Sequence, residues 1–323
     1  MFLTDNLKLR SRLILAPMSG ITDLPFRLLN RRFGCELAFV EMINARSLGY
    51  KSKKTQRLLS TDAQDRPLGV QLLGKEPAYL LRALDILNSY KFDLLDFNAA
   101  CPAPKVTKRG EGASLLKDPE KLGGILKLLV ENSPVPVTVK IRLGWDKTES
   151  NTREIALAAQ DAGIKAVFIH GRTKMQEYHG DVDYDVIAKV KKALRIPVIA
   201  SGNIFSGELA KRMFDETGCD AVLIARGALG NPWIFREISY FLEHGKEPAR
   251  PSVISIIEIM SGHLDACVGF YGEKAGVVIF RKFFSWYTKG FRKIRPLREG
   301  SSRAKTQETM REMIEACGRY QKQ

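Results

Sequence analysis

Val135-Pro136-Val137-Thr138-Val139-Lys140-Ile141, Ala166-Val167-Phe168-Ile169, Val198-Ile199-Ala200 and Ala221-Val222-Leu223-Ile224-Ala225 follow one another through the middle of the chain. Each is a short apolar, β-branched run, and each is parted from the next by a helical pattern. The same unit recurs toward the N-terminus, with runs at 13–16, 38–42, 68–72 and 94–97. The runs begin about 30 residues apart on average, near the length of one strand–helix unit. Helical patterns at 79–87, 118–129, 153–161, 184–194 and 207–214 fill the intervals. Eight such units predict an α/β protein built on a (β/α)8 TIM barrel. A doubly wound sheet would more often carry Gly-x-Gly-x-x-Gly after its first strand. Gly110-Glu111-Gly112 follows a cysteine loop instead.

After Pro232-Trp233-Ile234-Phe235 the rhythm changes. Residues 243–251 read as a linker, and apolar periods at 253–260, 277–286 and 306–314 predict helices without strands. The expected division is a barrel over 1–242 and a small all-helical C-terminal domain over 243–323.

With 45% hydrophobic and 27% charged residues, the 323-residue chain has the composition of an ordinary globular protein. That excludes a disordered chain, a collagen and a disulfide-held miniprotein. No apolar run comes near the ~20 residues of a membrane helix, and the opening MFLTDNLKLRSRL has no signal-peptide core. A cytoplasmic protein without a membrane partner is expected. The five cysteines form no Cys-x-x-Cys pair, which argues against a disulfide framework and a zinc site. Cys35 and Cys219 open apolar runs and are expected to pack; His244 and His263 read as structural, and no metal is assigned.

The net charge is +15, and it is unevenly placed. Residues 281–305 hold nine basic side chains (Arg281, Lys282, Lys289, Arg292, Lys293, Arg295, Arg298, Arg303 and Lys305) against one acid, Glu299. Solvated helix faces usually mix both signs, so this stripe is the expected footprint of a polyphosphate backbone.

In such barrels the chemistry sits at the C-terminal strand ends. Read in order, those ends offer Pro17-Met18-Ser19, Glu41, Gln71, Asn98 with Cys101, Lys140 with Arg142, His170 with Arg172, Ser201-Gly202-Asn203 and Arg226-Gly227. The small residues after the last two strands, with Arg226 as counter-charge, suggest a phosphate site. Met18 and Gln71 offer an apolar surface and an amide to a flat heterocycle, and Lys140 could stabilise negative charge on it. Cys101 lies in a polar loop with Lys105, Lys108 and Arg109 nearby. A free thiol is mostly protonated at neutral pH, so both a nucleophile and a proton donor are open to it.

At these residues the chain resembles the tRNA-dihydrouridine synthases, and among them the bacterial B-like branch. The resemblance runs through Leu15-Ala16-Pro17-Met18-Ser19-Gly20-Ile21-Thr22-Asp23-Leu24-Pro25-Phe26-Arg27, Gln71, Asn98 to Pro102, and Lys140-Ile141-Arg142-Leu143-Gly144-Trp145. It continues in His170-Gly171-Arg172-Thr173, Gln176, Tyr178, Gly180, Ala225-Arg226-Gly227, Gly230-Asn231-Pro232-Trp233, Arg281-Lys282 and Trp286-Tyr287. It implies an FMN-dependent barrel with a helical tRNA-binding domain, using NADPH or NADH as co-substrate and acting as a monomer. Pro17, Met18, Ser19, Gln71, Lys140 and His170 would line the flavin, and Ser201, Gly202, Asn203, Ala225 and Arg226 would hold its phosphate region. Cys101 would be the general acid. Asn98, Arg142, Arg172 and Gln176 would meet the RNA, together with Arg281, Lys282, Arg292, Lys293 and Arg295. The chain departs from the family pattern at Ala100, Ser201, Asn203 and Phe283, where Gly, Asn, an acid and His are commoner. The implied reaction reduces the C5–C6 bond of a D-loop uridine, with hydride to C6 from FMN and a proton to C5 from Cys101. A flavin barrel acting on a free small molecule would leave the basic stripe without a role. A non-catalytic RNA-binding protein would not need Lys140, His170 and Cys101 together.

Overall fold

The computed structural model describes residues 1–4, 7–49, 52–146 and 151–320. The last three residues of the expected helical domain, 321–323, lie outside the described residues. Eight parallel strands run Leu13–Leu15, Ala38–Phe39, Leu68–Leu73, Leu94–Asn98, Val137–Arg142, Val167–His170, Val198–Ser201 and Ala221–Ile224. From the second strand onward each pairs with the next in sequence, and the eighth pairs back onto the first. A single bridge between Ile14 and Leu37 joins first to second and closes the ring. With helices such as Pro77–Leu87, Pro119–Asn132 and Gly207–Thr217 between strands, this is the (β/α)8 barrel that the sequence pattern predicts.

Strand alternation decides what the barrel holds. Val137, Val139 and Ile141 belong to the large apolar layer shared with the helices. Residues of the opposite parity, including Ile14, Phe39, Leu94, Phe168, Ile199 and Leu223, form a separate inner cluster. Phe39 and Phe168 meet edge to face at 5.5 Å across that interior. A hairpin of Phe2–Thr4 and Leu7–Lys8 adds Leu3 and Leu9 to the same cluster. The inner parity therefore also carries Gln71, Asp96, Asn98, Thr138, Lys140, Arg142, His170 and Ser201 toward the C-terminal rim.

One expected strand is broken. The run at 38–42 pairs only over Ala38–Phe39 and resumes as Ile43–Asn44 beside the third strand. Between them Val40 N still donates to Gly69 O, and Glu41 turns its carboxylate to the Gly20 N–H.

Beyond the barrel, helix Ile234–His244 is followed by Val253–Tyr271, Glu273–Tyr287, Arg295–Ser301 and Gln307–Ala316. The 19-residue helix Val253–Tyr271 is long and apolar enough by length and composition to cross a membrane. That corrects the expectation that no segment came near this length, because scattered polar residues and glycines hide the run in the sequence. Here its Ile256, Met260, Leu264 and Cys267 face is buried, while Asp265 accepts from Gln307 and Arg311. Cys35 and Cys219 are buried as expected, and burial pushes the Cys35 thiol up to about 12.

The helical region packs on Leu24–Arg31, the helix after the first strand. Phe26 stacks on Phe283 at 5.6 Å, and His263 lies 4.4 Å from Phe283. His263 Nδ1 is 3.1 Å from the Tyr287 hydroxyl, and burial pushes its pKa down to about 3. Phe283, where the resemblance leads to the expectation of a histidine, is fully buried in this seam.

Beneath this seam the carboxylate of Asp65, itself fully buried, takes Arg27 on one oxygen at 2.6 Å and Arg31 on the other at 2.8 Å. Arg27 also donates to Thr22 O and Ser60 O, so the triad anchors the loop leading from the first strand. Asp65→Ala would leave two largely buried guanidiniums unpaired, and should cost about 3–5 kcal/mol in urea unfolding. Loss of under 1 kcal/mol would show that water replaces the carboxylate.

Candidate active site at the barrel rim

A cavity of about 450 Å³ opens at the C-terminal ends of the strands. Its first wall is Pro17, Met18 and Ser19, just past the first strand. Gln71, Lys140 and His170 rise from inside the barrel, and Ser201, Gly202, Asn203, Ala225 and Arg226 form the far side. Asn98, Cys101, Arg142, Tyr178 and Phe205 also line the cavity. Fourteen of the residues singled out from the sequence thus share one cavity.

The floor is organised by Asp96, which the sequence reading missed. Its Oδ1 accepts from Thr138 Oγ1 at 2.8 Å and its Oδ2 from Gln71 Nε2 at 2.6 Å. Burial raises the carboxyl to about 6, and these two hydrogen bonds with the Lys140 charge act against that rise. At neutral pH the group is therefore mainly a carboxylate, which only accepts. Gln71 must then turn its nitrogen to Asp96 and its Oε1 to Asn98 Nδ2, 2.7 Å away. Asn98 in turn presents Oδ1 to the backbone N–H groups of Ala100 and Cys101, at 3.0 and 2.9 Å. The second Asn98 proton points at Met42 Sδ, 3.2 Å away. All the polar groups of Asn98 are thus occupied within the protein, and its visible work is to hold the Cys101 loop. Cys101 O is fixed separately by the Ala113 N–H at 3.1 Å.

The far wall combines small residues with one guanidinium. Gly202 stands at φ +140°, and a Cβ there would lie 2.7 Å from Val182 Cγ2 and 3.5 Å from the His170 ring. Only glycine leaves that space free. Arg226 is exposed, donates to Asn203 Oδ1 at 3.2 Å, and lies over the Tyr178 and Phe205 rings at 4.8 and 5.5 Å. The Ser201 hydroxyl donates to Ile169 O, and its carbonyl accepts from Gly171 N. Small residues and a guanidinium suit a phosphate monoester. Desolvation brings the Lys140 ammonium down to about 8, and it drives His170 well below its usual value, so the imidazole is neutral at pH 7.

Other expected RNA contacts lie elsewhere. Arg142 reaches the cavity, but its guanidinium donates to Ala100 O, Thr173 O and Glu177 O. Arg172 is buried outside the cavity, donates to His179 O and Gly180 O, and leaves Nη1 without a partner. Together these two arginines shape the loop that carries Tyr178. Gln176 belongs to a neighbouring cleft, where Oε1 accepts from Thr173 N. Arg281 is folded onto Ala304 O, and Lys282 onto Gly20 O. Arg292, Lys293 and Arg295 are exposed, far in sequence from the barrel, and Arg295 pairs with Glu299 at 2.7 Å. Among the described residues no three His, Cys, Asp or Glu side chains converge as a metal site. Asp96 was findable: it shares parity with Asn98 in the fourth strand, so it had to point inward.

The dihydrouridine synthase (Dus) family model matches residues 14–321. A tRNA-dihydrouridine synthase B from Xanthomonas axonopodis pv. citri is 41% identical over 91% of this chain and 89% of its own. A protein of the same name from Vibrio cholerae is 42% identical over 87% of this chain and 88% of its own. Among solved structures, histamine dehydrogenase from Rhizobium sp. 4-9 aligns at TM-score 0.53 with 12% identity, covering 79% of this chain and 49% of that one. That similarity speaks for the barrel alone. Matching along nearly its whole length, the chain belongs to the dihydrouridine synthase family.

Proposed function

We propose that the protein is an FMN-dependent tRNA-dihydrouridine synthase, which reduces the C5–C6 double bond of a D-loop uridine with NADPH or NADH as reductant. The observation that carries this reading is that Cys101 shares one cavity with Gln71, Lys140 and the Gly202–Arg226 wall. FMN, when bound, supplies hydride for C6 of the base. The wall of Ser201, Gly202, Asn203, Ala225 and Arg226 would hold its phosphate, and Met18 and Gln71 would lie against its ring. Gln71 keeps one amide proton free, because Asp96 takes the other. Lys140 would supply positive charge to the flavin ring, and neutral His170 would offer it a hydrogen bond without adding to that charge. Cys101 Sγ donates its proton to C5, and the resulting thiolate is reprotonated from solvent. Asn98 and Ala113 hold the backbone on both sides of that thiol. The base leaves its stack to reach the rim. The helical region, proposed as the tRNA-binding domain, bears the exposed Arg292, Lys293 and Arg295 for phosphate contacts.

Arg226→Ala should weaken FMN binding about tenfold, the worth of one charge-assisted hydrogen bond. Fluorescence titration of the apoprotein checks this; parental affinity would move the phosphate elsewhere.

Changing Arg292, Lys293 and Arg295 to Glu should raise KM for tRNA and flatten the salt dependence of binding, since fewer counterions are released. Flavin reduction by NADPH should keep its parental rate. A parental salt slope would make this stretch a solvated face.

Cys101→Ala should bind FMN and accept hydride from NADPH as the parent does. Oxidation of the reduced flavin by tRNA should slow by roughly 10²–10⁴-fold, the usual loss with a general acid. Stopped-flow traces of the two half-reactions separate these steps. Equal slowing of both, or parental turnover, would give the proton to another residue.

A further inference from the structure

The loop after the first strand is both a wall of the cavity and the seat of the helical region. Its turn closes when Ile21 N donates to Met18 O at 3.0 Å, and Pro17, Met18, Ser19 and Ile21 line the cavity. Gly20 sits at φ +73°, a left-handed conformation that other residues adopt only with strain. Two oppositely charged groups hold it. The Gly20 N–H donates to the Glu41 carboxylate, and the Gly20 carbonyl accepts from the Lys282 ammonium on helix Glu273–Tyr287. Three residues on, Asp23 caps helix Leu24–Arg31 by accepting from Phe26 N, while its other oxygen accepts from Tyr271 Oη at 2.9 Å. Burial raises the pKa of both Asp23 and Glu41, and Lys282 and Arg27 are the cations that favour their ionised forms. Arg27 is already spent on Asp65, Thr22 O and Ser60 O. Lys282 is thus the cation that the helical region contributes to this pair of carboxylates.

We propose that Lys282 is a positioning residue for the cofactor cavity, clamping the Gly20 turn so that Pro17, Met18 and Ser19 stay in its wall, and is not an RNA-phosphate contact. The proposal rests on the flavin reading above for its ligand, although the clamp itself does not. Its consequence is that the helical region completes the flavin site as well as carrying the basic stripe. Removing the ammonium frees the Gly20 carbonyl and leaves Glu41 and Asp23 short of a counter-charge. Removing the Glu41 charge loosens the same turn from its other side. The two changes should therefore not add.

The test compares Lys282→Met, Lys282→Arg, Glu41→Gln and the Lys282→Met/Glu41→Gln pair, each checked for parental circular dichroism. FMN affinity of the apoprotein, the salt slope of tRNA binding and amide hydrogen exchange over residues 17–22 are measured on each. Lys282→Met should raise the FMN Kd about tenfold, speed exchange over 17–22 and leave the tRNA salt slope parental. Lys282→Arg, which keeps a charged donor, should restore most of the affinity. The pair should lose less than the product of the single losses. Parental FMN affinity with a flattened salt slope in Lys282→Met would overturn the proposal and return Lys282 to the RNA. Unchanged exchange over 17–22 would overturn it too, whatever the flavin result. Failure of the parent protein itself to take up FMN would instead sink the functional reading, and the exchange data would still decide the clamp.

Discussion

A carboxylate buried in the barrel floor governs the polarity of everything above it. Asp96 is buried and, among the described residues, forms no ion pair; its oxygens are held by a hydroxyl and an amide. Because an ionised carboxylate accepts and cannot donate, the Gln71 amide has one permitted orientation, and through it so does Asn98. The sequence of donors ends at the backbone of Cys101. A single charge thus sets which face Gln71 shows to the cavity and fixes the loop on which the proposed proton donor rides. Reversing one amide in that series would bring donor against donor at Cys101, with an unsatisfied buried group as the cost.

The buried arginines of this protein serve its own carbonyls. Arg27, Arg31, Arg142 and Arg172 each donate to main-chain oxygens of loops that have no ladder to satisfy them. The guanidinium suits this work, with five donors in a rigid plane that can bind several acceptors at once. The basic stripe divides. Arg281, Lys282 and Arg298 are turned inward onto Ala304 O, Gly20 O and Thr288 Oγ1, whereas Lys289, Arg292, Lys293, Arg295, Arg303 and Lys305 are exposed. The surface available to a phosphate backbone is therefore smaller than the count of basic residues suggests.

The first loop joins these themes. It is tied below to the Asp65 triad, beside it to Glu41, and above it to Tyr271, Phe283 and Lys282. A segment held on so many sides makes a rigid wall, and rigidity is what a site needs to orient two flat rings against each other.

The barrel and most of its rim were legible in the sequence, because both follow from local rules. Alternation sends every second strand residue inward, and parallel strands bring all their C-terminal ends to one face, so Gln71, Lys140, His170 and Ser201 had to converge. The break in the second strand was not legible, nor was the contact of Glu41 with Gly20, 21 positions away, which only the tertiary fold brings about. The partners of the long cationic side chains were equally hidden. Lys282 and Gly20 are 262 positions apart, and Arg142 reaches carbonyls 31 to 42 positions away. A charged residue in a sequence reads the same whether it meets solvent, a ligand or a carbonyl. Chain closure alone chooses among them, because a guanidinium or ammonium goes to whichever unsatisfied acceptor the fold brings within reach.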